Sequence, residues 1–378
     1  MLTSGGASVH VDDLAAVIRG EPLPPGLAGV SPEDLLDACA EQDLVGLVYN
    51  RLSSLDSRDE HVARARGALH GAARAATACE LVRQRETSLA LDRLAAAGVH
   101  PILLKGTALA YSVYADPTER PRVDTDLLIR CDQLDAARRA LVDCGYRAQL
   151  QCDGELLFRQ FALSKTDRFG IVHTFDVHWK ISTQAVFADL LTYDEVSAEA
   201  VSIERLGPHA RAAGPVHALL LACVHPAMHH RNVEWLLWTY DVHLLASRLS
   251  PANFDRLVDL AIAKRVAAIA AQDLVRARAK FLTQIPDEAI HRLASVGNEP
   301  SASYLRAGRR WRDELSSNLR ALSWRDRLRL LVEVLAPDRD YMLARYGIPA
   351  GRGGAILLPA LYVHRSVSGL WNVLTGRK

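Results

Sequence analysis

Residues 104–129 read LKGTALAYSVYADPTERPRVDTDLLI. The apolar run that precedes Lys105 and Gly106 stops there, and helical spacing then resumes, so the stretch predicts a strand, a tight turn and a helix. The run RVDTDLLIR at 122–130 predicts a second strand. Because residues i and i+2 of a strand face the same way, Asp124 and Asp126 are expected to project together.

Further elements follow this pair. The segment 131–148 predicts an amphipathic helix with Asp132 as its N-cap and Gly145 as its C-terminal stop. The runs ELLFRQFALS at 155–164 and FGIVHTFDVHWKIS at 169–182 predict two more strands. Residues 99–205 are therefore expected to form a small α+β unit with a mixed sheet.

The rest of the chain is expected to be helical. Ser31 is a plausible N-cap before Pro32, and residues 60–97 contain no proline and predict one long helix, or two that break near Gly71. The expected division is an N-terminal helical region (1–98), an α+β core (99–205), a C-terminal helical domain (206–346) and a tail with a docking helix (347–378).

The composition and net charge narrow the classes of partner and location expected for the protein. Of 378 residues, 49% are hydrophobic and 24% charged, and the net charge of +1 gives no strong overall field for nucleic acid or an anionic membrane. No apolar stretch reaches the length of a membrane span, and the first residues do not resemble a signal peptide. Six scattered cysteines without a C-x-x-C pair suit a reducing cytoplasm, which is the expected location: Cys39, Cys79, Cys131, Cys144, Cys152 and Cys223.

Three carboxylates carry the chemical hypothesis. Asp176 alternates with apolar neighbours, so it stands with Asp124 and Asp126 if the two strands are adjacent. Clustered carboxylates repel unless a cation neutralises them, and Mg²⁺ prefers such oxygen ligands. A glycine between strand and helix lets backbone N–H groups approach a phosphate, so Gly106 predicts a phosphate site.

The order strand, Gly-Thr, helix, Asp-x-Asp, strand, Asp resembles the nucleotidyltransferase fold of the DNA polymerase β superfamily. The segments LLKGTAL, RPRVDTDLLI, FDVHWKI and HHRNVEWLLWTYDVHLL resemble, more narrowly, a group of uncharacterised bacterial nucleotidyltransferases. The strong match covers 99–180, and a weaker helical match continues to about 346. The resemblance implies an enzyme that moves an NMP unit from an NTP to an acceptor hydroxyl.

The resemblance also implies roles for single residues. Asp124, Asp126 and Asp176 would be catalytic and would ligate Mg²⁺, with Asp176 helping to deprotonate the attacking hydroxyl. Gly106 and Thr107 would hold the triphosphate of an NTP, with ATP as the expected one. The other candidates for nucleotide binding are Lys105, which could reach an outer phosphate, Arg122, and two residues on the predicted face of Asp176, His178 and Lys180. Arg122 and its neighbour Arg120 could instead pair with acids.

The acceptor stays open at this point. A small molecule, a peptide or RNA would each fit, and the near-neutral charge leans against a large RNA. A toxin-like enzyme that modifies tRNA and a non-catalytic nucleotide-binding protein that retains the fold are the competing interpretations.

Three further features have competing interpretations. His225, His229 and His230 have spacing that could bind zinc, as in a metallohydrolase, but packing between the helical domain and the core is the preferred interpretation. The arginine-rich run 306–329 is expected to be a solvated helical face, with anionic RNA as the alternative. The segment 355–374 is expected to be a docking helix rather than a membrane anchor.

Overall fold

A computed structural model describes residues 9–55, 58–148, 159–297, 299–306, 311–348 and 352–375. It has an α+β fold in which a mixed sheet is flanked by helices on both sides in sequence, which confirms the predicted fold class. Within the described residues, no helix is both long and apolar enough to cross a membrane.

The N-terminal region is helical, as predicted. Ser31 caps its helix by accepting a hydrogen bond from the N–H of Asp34, and residues 60–96 form one continuous helix of 37 residues that passes through Gly71. The helices are α1 (Val11–Ile18), α2 (Pro25–Ala28), α3 (Pro32–Glu41), α4 (Val45–Ser53) and α5 (Glu60–Ala96).

The sheet contains seven described strands in the order β3-β4-β5-β2-β1-β7-β6. The strands are β1 (Ile102–Leu104), β2 (Thr125–Leu128), β3 (Arg147–Ala148), β4 (Gln160–Thr166), β5 (Val172–His178), β6 (Val201–Ser202) and β7 (Arg211–Ala212). Strand β2 is antiparallel to β1 and parallel to β5. The first residues of the predicted strand 155–164 and Cys152 lie outside the described residues.

Three helices belong to this part of the chain: α6 (Lys105–Ser112), α7 (Leu134–Asp143) and α8 (Tyr193–Ala198). Gly145 follows α7 with φ +87° and ends it as predicted. Asp132 is not the N-cap, and that prediction is wrong: residues Cys131–Gln133 form a 3-10 turn, so α7 begins one residue later than an Asp132 cap requires, with Gln133 at the cap position.

The C-terminal half is helical. Its helices are α9 (Pro215–His229), α10 (Leu236–Ala246), α11 (Pro251–Ala263), α12 (Ala267–Phe281), α13 (Asp287–Ala294), α14 (Trp311–Ala321), α15 (Trp324–Leu335), α16 (Arg339–Arg345) and α17 (Arg352–Thr375). The segment predicted to be a docking helix lies in α17, and its docking role stays a prediction. Among its described contacts are hydrogen bonds from Tyr346 Oη to His364 Nδ1 and from Tyr362 Oη to the carbonyl of Pro337.

Alternation along the strands divides the buried residues into two cores. Leu103 and Leu127 face one core, together with α5 and α7. Leu104 and Leu128 face the other, which also takes apolar residues from α1, α3, α4 and the helices α9 to α13. Helices α1, α3 and α4 therefore share a core with the C-terminal helices α9 to α13 on one face of the sheet, and this is the face that carries Asp126.

Candidate active site

The register of the sheet brings the predicted carboxylates together. Asp126 on β2 lies directly opposite Asp176 on the parallel strand β5, and Leu104 at the end of β1 lies opposite Asp126 on its other side. Asp124 immediately precedes β2. Because all three aspartates alternate with residues of the opposite face, their side chains share one side of the sheet.

Asp126 is held by two donors. Lys105 Nζ lies 2.6 Å from Asp126 Oδ1, and His178 Nε2 lies 2.9 Å from the same oxygen. Burial opposes ionisation of this carboxyl, but Lys105 and His178 outweigh burial and hold its pKa well below the ordinary range. Asp126 is thus a charged carboxylate whose Oδ1 is engaged.

The two donors differ in charge. Burial would lower the pKa of Lys105, but the carboxylates of Asp126, Asp124 and Asp176 outweigh it and leave the pKa above its ordinary value. Burial lowers the pKa of His178 despite the hydrogen bond to Asp126. The pair therefore consists of an ammonium ion and a neutral imidazole that donates through Nε2.

The pKa values of the other two aspartates, Asp176 and Asp124, are raised. Burial and the charges of Asp126 and Asp124 raise the pKa of Asp176 to about 6. Burial and Asp126 likewise raise the pKa of Asp124, which Lys105 only partly offsets. Lys105 alone does not compensate the cluster, so a further cation would be stabilised here.

A metal ion fits the donor set. Among the described residues, three each offer one atom that could ligate a metal ion, and these atoms lie within 4.8 Å of one another: Asp126, Asp176 and His178. Carboxylate oxygens suit Mg²⁺. A slight movement of the Asp126 and Asp176 side chains toward each other would let one oxygen of each lie about 2.1 Å from a shared Mg²⁺ ion. The three histidines of α9 and its C-terminus are not part of this group, so it gives no support to a zinc hydrolase centred on them.

The turn after β1 lies beside the carboxylates. Helix α6 begins at Lys105, and no described side chain caps its first N–H groups. Gly106 has no positive φ, and an added Cβ would meet Arg120 Nη1 and Arg122 Cβ at 3.5 Å, which is ordinary contact. Glycine is therefore not required here by the backbone, and Gly106 lines the cleft beside these two arginines.

Thr107 is directed away from this cleft. It is buried, and its hydroxyl lies 3.3 Å from the carbonyl oxygen of Asp124 and 3.2 Å from Thr125 Oγ1. This contact ties α6 to the start of β2. The structure thus gives Thr107 a positioning contact with the Asp124 segment.

Arg120 and Arg122 have buried acidic partners. Arg122 Nη1 pairs with Glu80 of α5 at 2.6 Å, and Arg120 Nη2 pairs with Asp241 of α10 at 2.8 Å. Both arginines line the cleft above the carboxylates. Their pairing connects the segment 120–122 to α5 and α10 and fixes the approach to β2.

Lys180 is not brought to the carboxylates. Strand β5 ends at His178, and Lys180 pairs with Asp189 with 41% of its side chain exposed. The alternation that would have placed Lys180 beside Asp176 stops with the strand. Lys180 is not among the described residues that line the cleft.

The cleft has a volume of about 530 Å³ and contains all three aspartates, Lys105 and Gly106. Helices α9 and α10 contribute an aromatic side to it, formed by His225, His229, His230 and Trp238. The ring centroids of His230 and Trp238 are 4.3 Å apart. Burial, reinforced by Lys105, lowers the pKa of all three histidines, so this side is neutral as well as aromatic.

Sequence reasoning missed several cleft residues. Arg83 of α5, Asp43, Gln160 and Trp238 all line the cleft, although they are far apart in the chain. Trp238 lies within the segment that resembled the family, which was the one available signal. The others are brought in by tertiary packing and carry no local motif.

The comparisons with known proteins agree with this geometry. A family model described as uncharacterised nucleotidyltransferase matches residues 28–293, which include the sheet, the carboxylates and helices α9 to α12. A search of the curated proteins found no match. The match covers more than half of the chain, so the protein belongs to this family and is an enzyme of the nucleotidyltransferase class.

Proposed function

We propose that this enzyme uses Mg²⁺ to transfer an NMP unit from an NTP, with ATP as the expected donor, to a hydroxyl of an acceptor. The acceptor oxygen forms a bond to the α-phosphorus, the bond to the β-phosphate oxygen breaks, and pyrophosphate leaves. The observation that carries the proposal is the register of Asp126 and Asp176, with Asp124 and the Gly106 turn beside them in one cleft.

The aspartates would hold the metal and activate the acceptor. Asp126 presents its second oxygen, Oδ2, because Oδ1 is engaged by Lys105 and His178. A bound Mg²⁺ would supply positive charge at the phosphate and lower the pKa of the attacking hydroxyl. Asp176, with a pKa of about 6, is poised to accept the hydroxyl proton near neutral pH.

The remaining cleft residues would bind and orient the substrates. Gly106 lines the cleft, so the triphosphate would approach the start of α6 there, beside Arg120 and Arg122. Thr107 would keep Asp124 in place, and the paired Arg120 and Arg122 would define the entrance. The neutral aromatic side around Trp238 suits a planar or apolar part of a substrate.

Two further proposals concern the kind of acceptor and the location of the enzyme. A small molecule or peptide suits a cleft of about 530 Å³ better than a large RNA does, and the net charge of +1 agrees. We place the enzyme in the cytoplasm, with support from the described cysteines, which are all free thiols: Cys39, Cys79, Cys131, Cys144 and Cys223.

A labelling experiment tests the proposal. Purified protein, Mg²⁺ and a cell extract are incubated with each α-³²P-labelled NTP, alongside Asp176→Asn as the control. Wild type should deposit label on an acceptor with one NTP, and Asp176→Asn should lose at least 10³-fold of that rate. Absence of label with every NTP, or equal labelling by the variant, would refute the proposed activity of this cleft.

A further inference from the structure

Lys105 occupies an unusual position for a phosphate-binding lysine. Its ammonium lies 2.6 Å from Asp126 Oδ1, and only 21% of its side chain and 6% of that of Asp126 are exposed. The lysine thus serves as a counter-ion to a carboxylate of the candidate metal group. A lysine free to meet a phosphate would be expected to lack such a close carboxylate partner.

The ammonium and a divalent cation compete for the same carboxylates. Asp126 and Asp176 offer donor atoms within 4.8 Å of each other, and Nζ is already in contact with one of these residues. A metal bound to both would lie only a few ångströms from Nζ, where two positive charges repel strongly in a partly buried site. Metal binding therefore favours departure of the ammonium from Asp126.

The backbone of Lys105 is consistent with a residue held in a particular pose. Its φ is +50°, in the left-handed region that side-chain-bearing residues seldom adopt. It directly precedes Gly106, over which the triphosphate is expected. Lys105, Gly106 and Asp126 line the same cleft, so the ammonium would stay within it in moving from the carboxylate to a bound phosphate.

Building on the function proposed above, we propose that Lys105 is an exchangeable counter-ion that couples metal binding to nucleotide binding. Without ligands, its ammonium neutralises Asp126. When metal and NTP enter together, a metal held by Oδ2 of Asp126 and by Asp176 would repel the ammonium from Oδ1, and Lys105 moves to an outer phosphate. Metal alone must displace the ammonium from its hydrogen-bonded carboxylate with no phosphate to receive it, so metal alone binds weakly.

Binding of Mn²⁺, measured by the electron paramagnetic resonance signal of the free ion, tests this coupling without turnover. The proteins compared are wild type, Lys105→Met and the matched control Lys165→Met, whose lysine pairs with Glu86 at similar exposure outside the cleft. Lys105→Met should bind Mn²⁺ alone at least tenfold more tightly than wild type. The control should match wild type.

A non-hydrolysable NTP with a methylene bridge between the α- and β-phosphorus measures the coupling itself. In wild type, the analogue and Mn²⁺ should each tighten the binding of the other to the protein at least tenfold, after correction for the affinity of Mn²⁺ for the free analogue. In Lys105→Met, the same increase should be less than threefold. Unchanged or weaker binding of Mn²⁺ alone by Lys105→Met would mean a permanent structural ion pair and overturn the exchange. If Asp176→Asn binds Mn²⁺ like wild type, or no protein binds it, the proposed metal site itself fails, and the exchange with it.

A second measurement uses only the wild type. The rate of acylation of Lys105 by an N-hydroxysuccinimide ester is followed by peptide mass spectrometry, with Lys165 as the internal reference. Saturating Mn²⁺ alone should expose Lys105 and raise its rate at least threefold, and Mn²⁺ with the analogue should lower it again. A rate that Mn²⁺ leaves unchanged or lowers would contradict the exchange.

Discussion

Asp126 and Asp176 are register partners, yet their surroundings act on them in opposite directions. Asp126 contacts Lys105 and His178 and is held in the charged form, whereas Asp176 has its pKa raised to about 6 by burial and its acidic neighbours. Repulsion among three carboxylates would by itself predict that removing any of them stabilises the metal-free protein. The contacts of Asp126 change that expectation for this residue.

The first prediction compares the two aspartates in the presence of a chelator at pH 7.5. Asp126→Asn leaves the largely buried Lys105 without its counter-ion and should cost about 2 kcal/mol of unfolding free energy. Asp176→Asn removes repulsion and should leave that free energy unchanged or raise it by up to about 1 kcal/mol. Urea unfolding followed by circular dichroism measures both, and the opposite order would show that Asp176 holds the local structure.

The second prediction concerns Asp273 of α12, away from the cleft. One oxygen pairs with Arg276, the other is buried without a hydrogen-bond partner among the described residues, and burial raises the pKa to about 6. Because the folded-state pKa exceeds the ordinary value of 3.8, this residue's contribution to stability is present at low pH and lost as pH rises through about 6.

Asp273→Asn should therefore gain stability relative to wild type as pH increases from 4 to 7, by about 2 kcal/mol in total. Thermal or urea unfolding at several pH values measures this difference. Parallel pH profiles for the two proteins would show that Asp273 is ionised normally in the folded state.

At the junction of β1 and α6, Lys105 and Gly106 line the cleft that contains the carboxylates. Gly106 tolerates a methyl group without strain, so Gly106→Ala should keep the stability of wild type or gain up to about 1 kcal/mol from helix propensity. On the proposed function, the same methyl group would obstruct the approach of the triphosphate, so affinity for NTP with Mg²⁺ should fall at least tenfold. Calorimetry measures the affinity, and thermal unfolding measures the stability.

The matched control is Gly71→Ala in α5, where an added Cβ meets nothing within 4 Å. It should gain similar stability and bind NTP like wild type. If Gly106→Ala also binds NTP like wild type, the nucleotide does not approach this turn.

These elements also show what the sequence could predict. Strand alternation and the glycine turn were sufficient to predict that Asp124, Asp126 and Asp176 share one face, because these are local patterns. The sequence does not indicate where β5 ends, so strand alternation predicts that Lys180 shares the face of Asp176. In the structure, β5 ends at His178 and Lys180 pairs with Asp189. Likewise, a 3-10 turn displaced the start of α7 from Asp132, since a polar residue near a helix start does not fix the cap by itself.

Contacts between distant segments were beyond the sequence. The partners of Arg120 and Arg122 come from α10 and α5, and the aromatic side of the cleft comes from α9 and α10. The interpretation of the three histidines as packing residues of an interface stays a prediction, but all three border the cleft that contains the carboxylates. Long-range packing of this kind has no local sequence signature.

At the scale of the whole molecule, one core links the two helical regions. Leu47 of α4, Leu104 of β1 and Leu220 of α9 belong to the same buried cluster, and Arg51 donates a hydrogen bond to Tyr240 of α10. The predicted boundaries at residues 98 and 205 stay predictions. Because they share this core, we expect the helices that precede the sheet in the sequence and those that follow it to unfold together.

The prediction at this scale uses Leu47→Ala, which opens a cavity in the shared core. It should cost about 2–5 kcal/mol. Because unfolding is expected to be cooperative, tryptophan fluorescence, to which Trp235 and Trp238 near α10 contribute, and helical circular dichroism should report the same shifted midpoint. Separate midpoints for the two signals would indicate that the N-terminal helices unfold independently.

Transfer of a nucleotidyl group in this cleft is distinguished from other phosphate chemistry by comparing two labels on one NTP. Wild type, Mg²⁺ and an acceptor-containing extract are incubated with α-³²P-labelled or γ-³²P-labelled NTP, with Asp176→Asn as the inactive reference. We expect the α-label to be retained on the acceptor while the γ-label appears in pyrophosphate, both dependent on Asp176. Retention of the γ-label on an acceptor that depended on Asp176 would instead show phosphoryl transfer and contradict nucleotidyl transfer in this cleft.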